Sequence, residues 1–207
     1  MIVVHHLNDS RSHRILWLLE ELGIAYEVAH HQRDAQTRLA PPALQAVHPL
    51  GKSPVVTDDG RAIIESGAII EIIVRRHGGG RLQPAPASPL YDDYVQWLHY
   101  AEGSAMLPLM LNLYVSRLGE AGAPLHPRIK SEIANHLGYV DASLRGKDWL
   151  LGDFTAADIQ MSFVGEVAQS FGVRAAHPEL DRWSRACQAR PAYKRALERG
   201  GPYRLAG

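Results

Sequence analysis

Cysteine is almost absent from this chain: the single thiol among 207 residues is Cys187, so no internal disulfide can form, which argues against a secreted, disulfide-stapled fold. A reducing cytoplasm is the expected compartment. Neither sign of charge is in excess, with 22 Lys and Arg against 22 Asp and Glu, which leaves no basic field for a nucleic-acid backbone. No apolar run approaches the roughly 18 residues of a membrane span, and the opening MIVVHHLNDS lacks the basic start and apolar core of a leader peptide. The chain is therefore expected to be soluble and unprocessed, with no nucleic-acid or membrane partner. Histidine is plentiful, at eleven. The pairs His5-His6 and His30-His31 nevertheless fall in predicted strands, where neighbouring side chains face opposite sides and cannot chelate as a pair. No carboxylate-histidine spacing of a helix-borne zinc site occurs, so no metal is expected.

Punctuation and periodicity divide the chain in two. Ile2 to Leu7 is rich in β-branched residues and gives way to the capping types Asn8, Asp9 and Ser10, which predicts a strand followed by a helix. That helix runs from about Arg11 to Leu22, with Ile15, Leu18, Leu19 and Leu22 at helical spacing and Gly23 at the stop. Tyr26 to His31 reads as a second strand, and Pro41-Pro42 opens a short helix. Val55–Thr57 and Arg61–Ile64 flank Asp58-Asp59-Gly60, whose Asp-Gly pair signals a tight hairpin. Ser66 then caps a helix that runs to about His77. The order β-α-β-α-β-β-α is the thioredoxin-like arrangement, with a right-handed crossover in its parallel first half.

Gly78-Gly79-Gly80 and the prolines Pro84, Pro86 and Pro89 read as a linker. The expected division is residues 1–80 as an α/β thioredoxin-like domain, 81–87 as linker and 88–207 as an all-α helical domain. Pro89, Pro127, Pro178 and Pro191 each suit a first helical turn. Phe154-Thr155-Ala156-Ala157-Asp158-Ile159 reads as a capping box with a Phe154–Ile159 staple.

Three places on the first domain can carry chemistry. At the first strand-to-helix turn, Asn8 to Ser12, a hydroxyl and the N–H groups of a helix start can stabilise a thiolate. A lone serine there more often serves as a cap. In Gly51-Lys52-Ser53-Pro54-Val55, a cis proline would turn the main chain of Val55 outward to pair with a peptide ligand as a short added strand. At Glu65-Ser66, the serine and the helix start can hold a carboxylate while Glu65 holds an ammonium, which matches an α-amino-acid head group. The three sites lie along one edge and suit one tripeptide.

The segments S-R-S-H-R-I-L-W-L-L-E-E-L-G-I-A-Y-E (Ser10 to Glu27), H-P-L-G-K-S-P-V-V (His48 to Val56), I-I-E-S-G-A-I (Ile63 to Ile69) and F-T-A-A-D-I (Phe154 to Ile159) resemble the bacterial glutathione transferases that use a serine-type N-terminal turn. The resemblance covers the whole chain. It implies that glutathione is the co-substrate. Lys52 would then approach the glycyl carboxylate or nearby backbone, with Ser53, Pro54 and Val55 along the cysteinyl backbone and Glu65 with Ser66 at the γ-glutamyl end. Ser10 is expected to face the sulfur, with Asn8 and Ser12 as alternates. Counted back from Gly23, the usual activating residue of serine-type relatives falls nearer Asp9, so the turn departs from the pattern by about one residue. An ionised Asp9 beside the sulfur would raise the thiol pKa rather than lower it.

The resemblance further implies a homodimer and a pocket for a small apolar electrophile walled by Tyr100, Met106, Met110 and Tyr114. Met and Tyr side chains adapt to varied apolar shapes. With no cysteine in the first domain, mixed-disulfide chemistry on a protein thiol is excluded there. Two activities follow from these residues: conjugation of glutathione to electrophiles, with hydroperoxide reduction beside it, or a non-catalytic module that binds ligands or docks on a partner. The fold alone does not choose between them.

Overall fold

A computed structural model describes residues 1–205. Contacts within the chain group the described residues into two compact units: one holds Met1–Gln83 together with residues 187–205, and the other holds Pro84–Ala186.

The first unit is built on four strands, β1 (Ile2–Leu7), β2 (Tyr26–His31), β3 (Val55–Asp58) and β4 (Arg61–Ile64), in the order β2-β1-β3-β4. β1 and β2 run parallel, with Ile2 opposite Tyr26, while β3 is antiparallel to both β1 and β4. Helices α1 (Ser12–Leu22), α2 (Pro42–Val47) and α3 (Ser66–His77) complete the thioredoxin-like order. Helix α1 ends at Gly23, whose φ of 63° is the left-handed conformation that glycine adopts without steric cost. The N–H groups of Gly23 and Ile24 close the helix on the carbonyls of Glu20 and Leu19, at 3.4 and 3.1 Å.

Every residue of α1 from Ser12 to Leu19 is buried, more than a helix lying on one sheet face would hide. The reason is α9 (Pro191–Gly200), which packs along α1 in addition to β1 and α3. Trp17 meets Tyr193 edge to face at 5.2 Å, and charge joins the same pair of helices, with Arg195 Nε 2.8 Å from Glu20 and Arg190 Nη2 2.9 Å from Glu21. The expectation that everything after residue 88 belongs to the helical domain is therefore corrected for the last helix. The first unit also extends through Gln83, inside the segment read as linker.

The second unit is helical: α4 (Leu90–Tyr100), a π-helical turn at Ala101–Ala105, α5 (Met106–Val115), a 3-10 stretch at Ser116–Leu125, α6 (His126–Ser143), α7 (Ala156–Ser170) and most of α8 (Pro178–Ala189). Helix α4 begins one residue after Pro89, where Ser88 Oγ accepts from the Leu90 N–H at 3.3 Å. The capping box at α7 forms as the sequence predicts. Asp158 Oδ2 accepts from the Thr155 N–H at 2.9 Å, and its Oδ1 accepts from the Leu150 N–H at 3.0 Å and the Trp183 indole N–H at 2.9 Å. Burial pushes the Asp158 carboxyl up while those donors pull it down. Phe154 packs edge-on against Trp149 at 4.8 Å. Among the described residues no helix is long and apolar enough to cross a membrane, and no group of three or more metal-ligating side chains is assembled.

Candidate functional site

The turn between β1 and α1 is tied down from several sides. Asn8 Oδ1 accepts from the Arg33 N–H at 2.8 Å, and its carbonyl accepts from Arg33 Nε at 3.0 Å. Asp9 adopts the left-handed region, φ 49°, and its carboxylate receives Arg38 at 3.0 Å and Arg204 at 2.7 Å. Burial works against the ionised form of Asp9, but hydrogen bonds from Arg204 and Arg38 hold its pKa below the ordinary carboxylate value. Asp9 is thus engaged with arginines.

Ser10 and Ser12 divide the remaining roles. Ser12 is wholly buried and Ser10 is 5% exposed. Their hydroxyls lie 2.8 Å apart, and Ser12 Oγ continues inward to His6 Nδ1 at 2.9 Å. Ser10 Oγ faces the other way as well: it lies 3.4 Å from Ser53 Oγ, which in turn donates to the His5 carbonyl at 3.1 Å. Ser10 Oγ also accepts from the Ser12 N–H at 3.2 Å. Of the three residues considered for the sulfur, Asn8 has its amide oxygen on Arg33 and Ser12 has no exposed surface. Ser10 is the one that meets the loop preceding β3.

The Ser53–Pro54 peptide bond is cis. Val55, however, sits in the sheet between His5 of β1 and Ile64 of β4, with its side chain 1% exposed. Its main chain is committed to those ladders, which corrects the expectation that Val55 pairs with a ligand. The sheet begins one residue after the proline, and Ser53, immediately before it, enters neither ladder. Lys52 is exposed beside it.

Glu65 precedes α3 with φ 66° and ψ 117°. A non-glycine side chain in that region is costly, by about 1–3 kcal/mol, and such positions cluster at ligand clamps. The Glu65 side chain is exposed, whereas Ser66 is buried and its Oγ accepts from Arg14 at 3.2 Å.

In the helical unit, Met106, Met110 and Tyr114 recur every fourth residue and share one stripe of α5. Met106 is 2% exposed and Tyr114 is 57% exposed. Tyr100 is engaged differently. Its hydroxyl lies 2.7 Å from His136 Nδ1 on α6, and its ring packs with Trp97 and Tyr139 along an open depression of about 500 Å³. Burial and the neighbouring Tyr139 push the Tyr100 phenol up to about 12.

Sequence reasoning overlooked several residues that shape the turn: His6, Arg14, Arg33, Arg38 and Arg204. Only His6 left a signal. It continues the alternation Ile2, Val4, His6 on the buried face of β1, and a polar residue at such a position needs a partner.

Comparison with known proteins bears on the whole chain. Residues 1–75 match the family described as Glutathione S-transferase, N-terminal domain, and residues 102–191 match its C-terminal domain. Glutathione S-transferase 3 of Schizosaccharomyces pombe is 37% identical over 96% of this chain and 88% of its own length. The chain belongs to the glutathione transferase superfamily. A crystal structure of a glutathione S-transferase from Actinobacillus pleuropneumoniae superposes with a TM-score of 0.89 and 33% identity, covering 100% of this family member and 96% of that chain. A glutathione transferase family member from Pseudomonas fluorescens, solved with two glutathione bound, gives a TM-score of 0.77 at 27% identity, over 95% of this chain and 92% of that one.

Proposed function

We propose that this member of the glutathione transferase superfamily binds glutathione along the edge formed by Ser10, Ser53 and Glu65-Ser66, and conjugates its thiolate to small apolar electrophiles. The observation that carries the reading is the approach of Ser10 Oγ to within 3.4 Å of Ser53 Oγ. It joins the opening of α1 to the residue before the cis proline, so one extended tripeptide can reach both. Ser53, outside the sheet ladders, offers its main chain to the cysteinyl backbone. Lys52 lies near the glycyl carboxylate. Ser66 and the start of α3 receive the γ-glutamyl carboxylate, with the exposed Glu65 carboxylate on the ammonium.

Chemically, a free thiol with a pKa of about 8.5 is mostly protonated at neutral pH. One hydroxyl donated to the anionic sulfur favours the charged form, and holding thiolate and electrophile together contributes the rest of the rate. The family resemblance supports a homodimer. Reduction of organic hydroperoxides by the same thiolate is a second outcome of this chemistry.

The test is retention on immobilised glutathione, followed by turnover of a chloronitrobenzene and of an organic hydroperoxide. A hydrogen bond to a charged group contributes about 1.5–3 kcal/mol, so Ser10→Ala should lower kcat/KM by roughly 10- to 100-fold while the protein is still retained. Retention without turnover of either substrate would favour the non-catalytic binding module. Full activity in Ser10→Ala with loss in Asn8→Ala would move the sulfur to Asn8.

A further inference from the structure

The hydroxyl of Ser10 is the outer end of a hydrogen-bonded chain that runs into the first unit. Ser10 Oγ meets Ser12 Oγ at 2.8 Å, and Ser12 Oγ meets His6 Nδ1 at 2.9 Å. On its far side the His6 ring hydrogen-bonds the backbone of Gly200, at the end of α9; the Cε1–Nε2 edge of the ring faces that glycine, and with Nδ1 on Ser12 the nitrogen left for it is Nε2. Proton positions along this chain follow from what each atom is able to do. A carbonyl only accepts, so His6 Nε2 carries a hydrogen. Burial, the neighbouring His30 and the more distant His31 push the His6 pKa down to about 4 against the pull of Asp9 and the Gly200 carbonyl, so at neutral pH the ring holds one hydrogen only. His6 Nδ1 is therefore a bare acceptor, and the Ser12 hydroxyl must donate to it. Ser12 Oγ already receives the Leu7 N–H at 3.3 Å. Its single proton has two acceptors within reach, His6 Nδ1 at 2.9 Å and the Leu7 carbonyl at 3.3 Å; the bare Nδ1 at the shorter distance takes it, so in the short contact between the serines Ser10 is the donor.

That assignment has a chemical consequence. The proton that a thiolate needs from Ser10 has two acceptors, Ser12 Oγ at 2.8 Å and, on the ligand edge, Ser53 Oγ at 3.4 Å, and the nearer one, Ser12, draws it inward. We propose that His6 and Ser12 are positioning residues that hold the Ser10 hydroxyl proton inward, so that an anionic sulfur at the turn must draw it away from Ser12. The proposal rests on the reading of Ser10 as the residue that faces the sulfur. The exchange is feasible because a hydrogen bond to an anion is about twice as strong as one between neutral groups. Once Ser10 turns, Ser12 Oγ keeps the Leu7 N–H as its donor and His6 as its acceptor. The relay thus sets the acidity of the bound thiol without touching it.

The experiment is a pH titration of the ultraviolet absorbance of thiolate bound to the full chain at millimolar glutathione. Ser12→Ala removes the competing acceptor. It should lower the midpoint by roughly half to one pH unit, the worth of one neutral hydrogen bond, whereas a purely structural serine would leave the midpoint where it is. His6→Leu frees the Ser12 proton to turn toward Ser10 and should shift the midpoint in the same direction. His6→Asn, whose amide oxygen can stand where Nδ1 stood, should restore the wild-type midpoint. In a Ser10→Ala background the Ser12→Ala shift should vanish.

A midpoint that is unchanged or raised in Ser12→Ala, while Ser10→Ala raises it, overturns the relay alone. A Ser10→Ala midpoint equal to wild type overturns the reading of the site on which the relay rests. If the substitutions unfold the chain, long-range proton–nitrogen NMR correlations of His6 in the unsubstituted protein decide the matter: the Nε2–H tautomer supports the relay and the Nδ1–H tautomer ends it.

Discussion

The guanidinium of Arg204 donates two hydrogen bonds to the Asp9 carboxylate, at 2.7 and 2.9 Å, and so ties the last described turn of the chain to the residue before Ser10. Arg38 reaches the same carboxylate at 3.0 Å, and Arg33 Nη2 lies 3.4 Å from the Asp9 carbonyl. One carboxylate thereby holds together a turn that its own φ of 49° does not favour.

Asp9→Ala should accordingly destabilise the fold by about 1–3 kcal/mol at neutral pH, toward the low end because its partners are partly solvated. The sign with pH follows from the depressed pKa of Asp9 in the folded chain. The contribution is complete above the unfolded value of about 3.9 and disappears as pH falls through the lower folded value. Urea unfolding of wild type and variant should give a constant gap from pH 5 to 8 that closes in strong acid. A gap of the same size under strongly acid conditions would assign the effect to packing instead.

His13 gives a pH signature of the same direction in a higher window. It is fully buried between Tyr203, stacked at 4.6 Å, and Tyr193, and burial together with His6 pushes its pKa down to about 3. The unfolded chain takes up a proton near pH 6.5 where the folded one does not. Stability due to this group is therefore fully present above that value and declines as pH falls toward the folded value. The slope should approach roughly 1.4 kcal/mol per pH unit. His13→Phe keeps the ring stack and removes a buried nitrogen, Nε2, that finds no hydrogen-bond partner. The variant should match or exceed wild-type stability at pH 7 and exceed it clearly at pH 5. Equal pH slopes for the two proteins would show that the imidazole is hydrated or paired after all.

Asp158 joins three parts of the helical unit through one buried carboxylate. Its removal leaves the N–H groups of Thr155 and Leu150 and the indole of Trp183 without their common acceptor, each worth about 1–3 kcal/mol when stranded. Asp158→Ala should cost about 3–5 kcal/mol, seen as a lowered Tm and a fall in soluble yield. Thr155→Ala should cost only about 1 kcal/mol, because it removes a cap and leaves the network around the carboxylate intact. A reversed order of the two would contradict this division.

The order of elements was legible because it is written locally. Asp-Gly makes a hairpin, Gly23 stops a helix, and Thr155 with Asp158 opens one, each through contacts spanning a few residues. The turn at Ser10 could be located for the same reason. What could not be read depends on pairs distant in sequence. Nothing near Pro191 says that its helix will pack on α1, since an amphipathic helix only announces that one face is covered, not by what. The Asp9–Arg204 pair spans 195 positions and left no local trace. The same holds for Val55, expected to turn its main chain toward a ligand: the ladders with His5 and Ile64 that engage it join residues far apart in sequence, and they leave Ser53 outside.

Glu65 offers a test in which stability and binding should separate. Its φ of 66° places an L side chain where glycine is at ease, and the exposed carboxylate makes no contact that the fold requires. Glu65→Gly relieves the backbone at a gain of up to about 1–3 kcal/mol, part of which is offset by the greater freedom of glycine in the unfolded chain. The Tm should therefore hold or rise. If the carboxylate receives the γ-glutamyl ammonium, the same variant loses a charge-assisted contact and its KM for glutathione should rise by about 10-fold or more. Glu65→Ala keeps the strain and loses the contact, so it should share the raised KM without the gain in Tm. Glu65→Gln, which keeps an acceptor oxygen, should fall between. An unchanged KM across all three would remove Glu65 from the binding site and leave its backbone geometry without a functional reason.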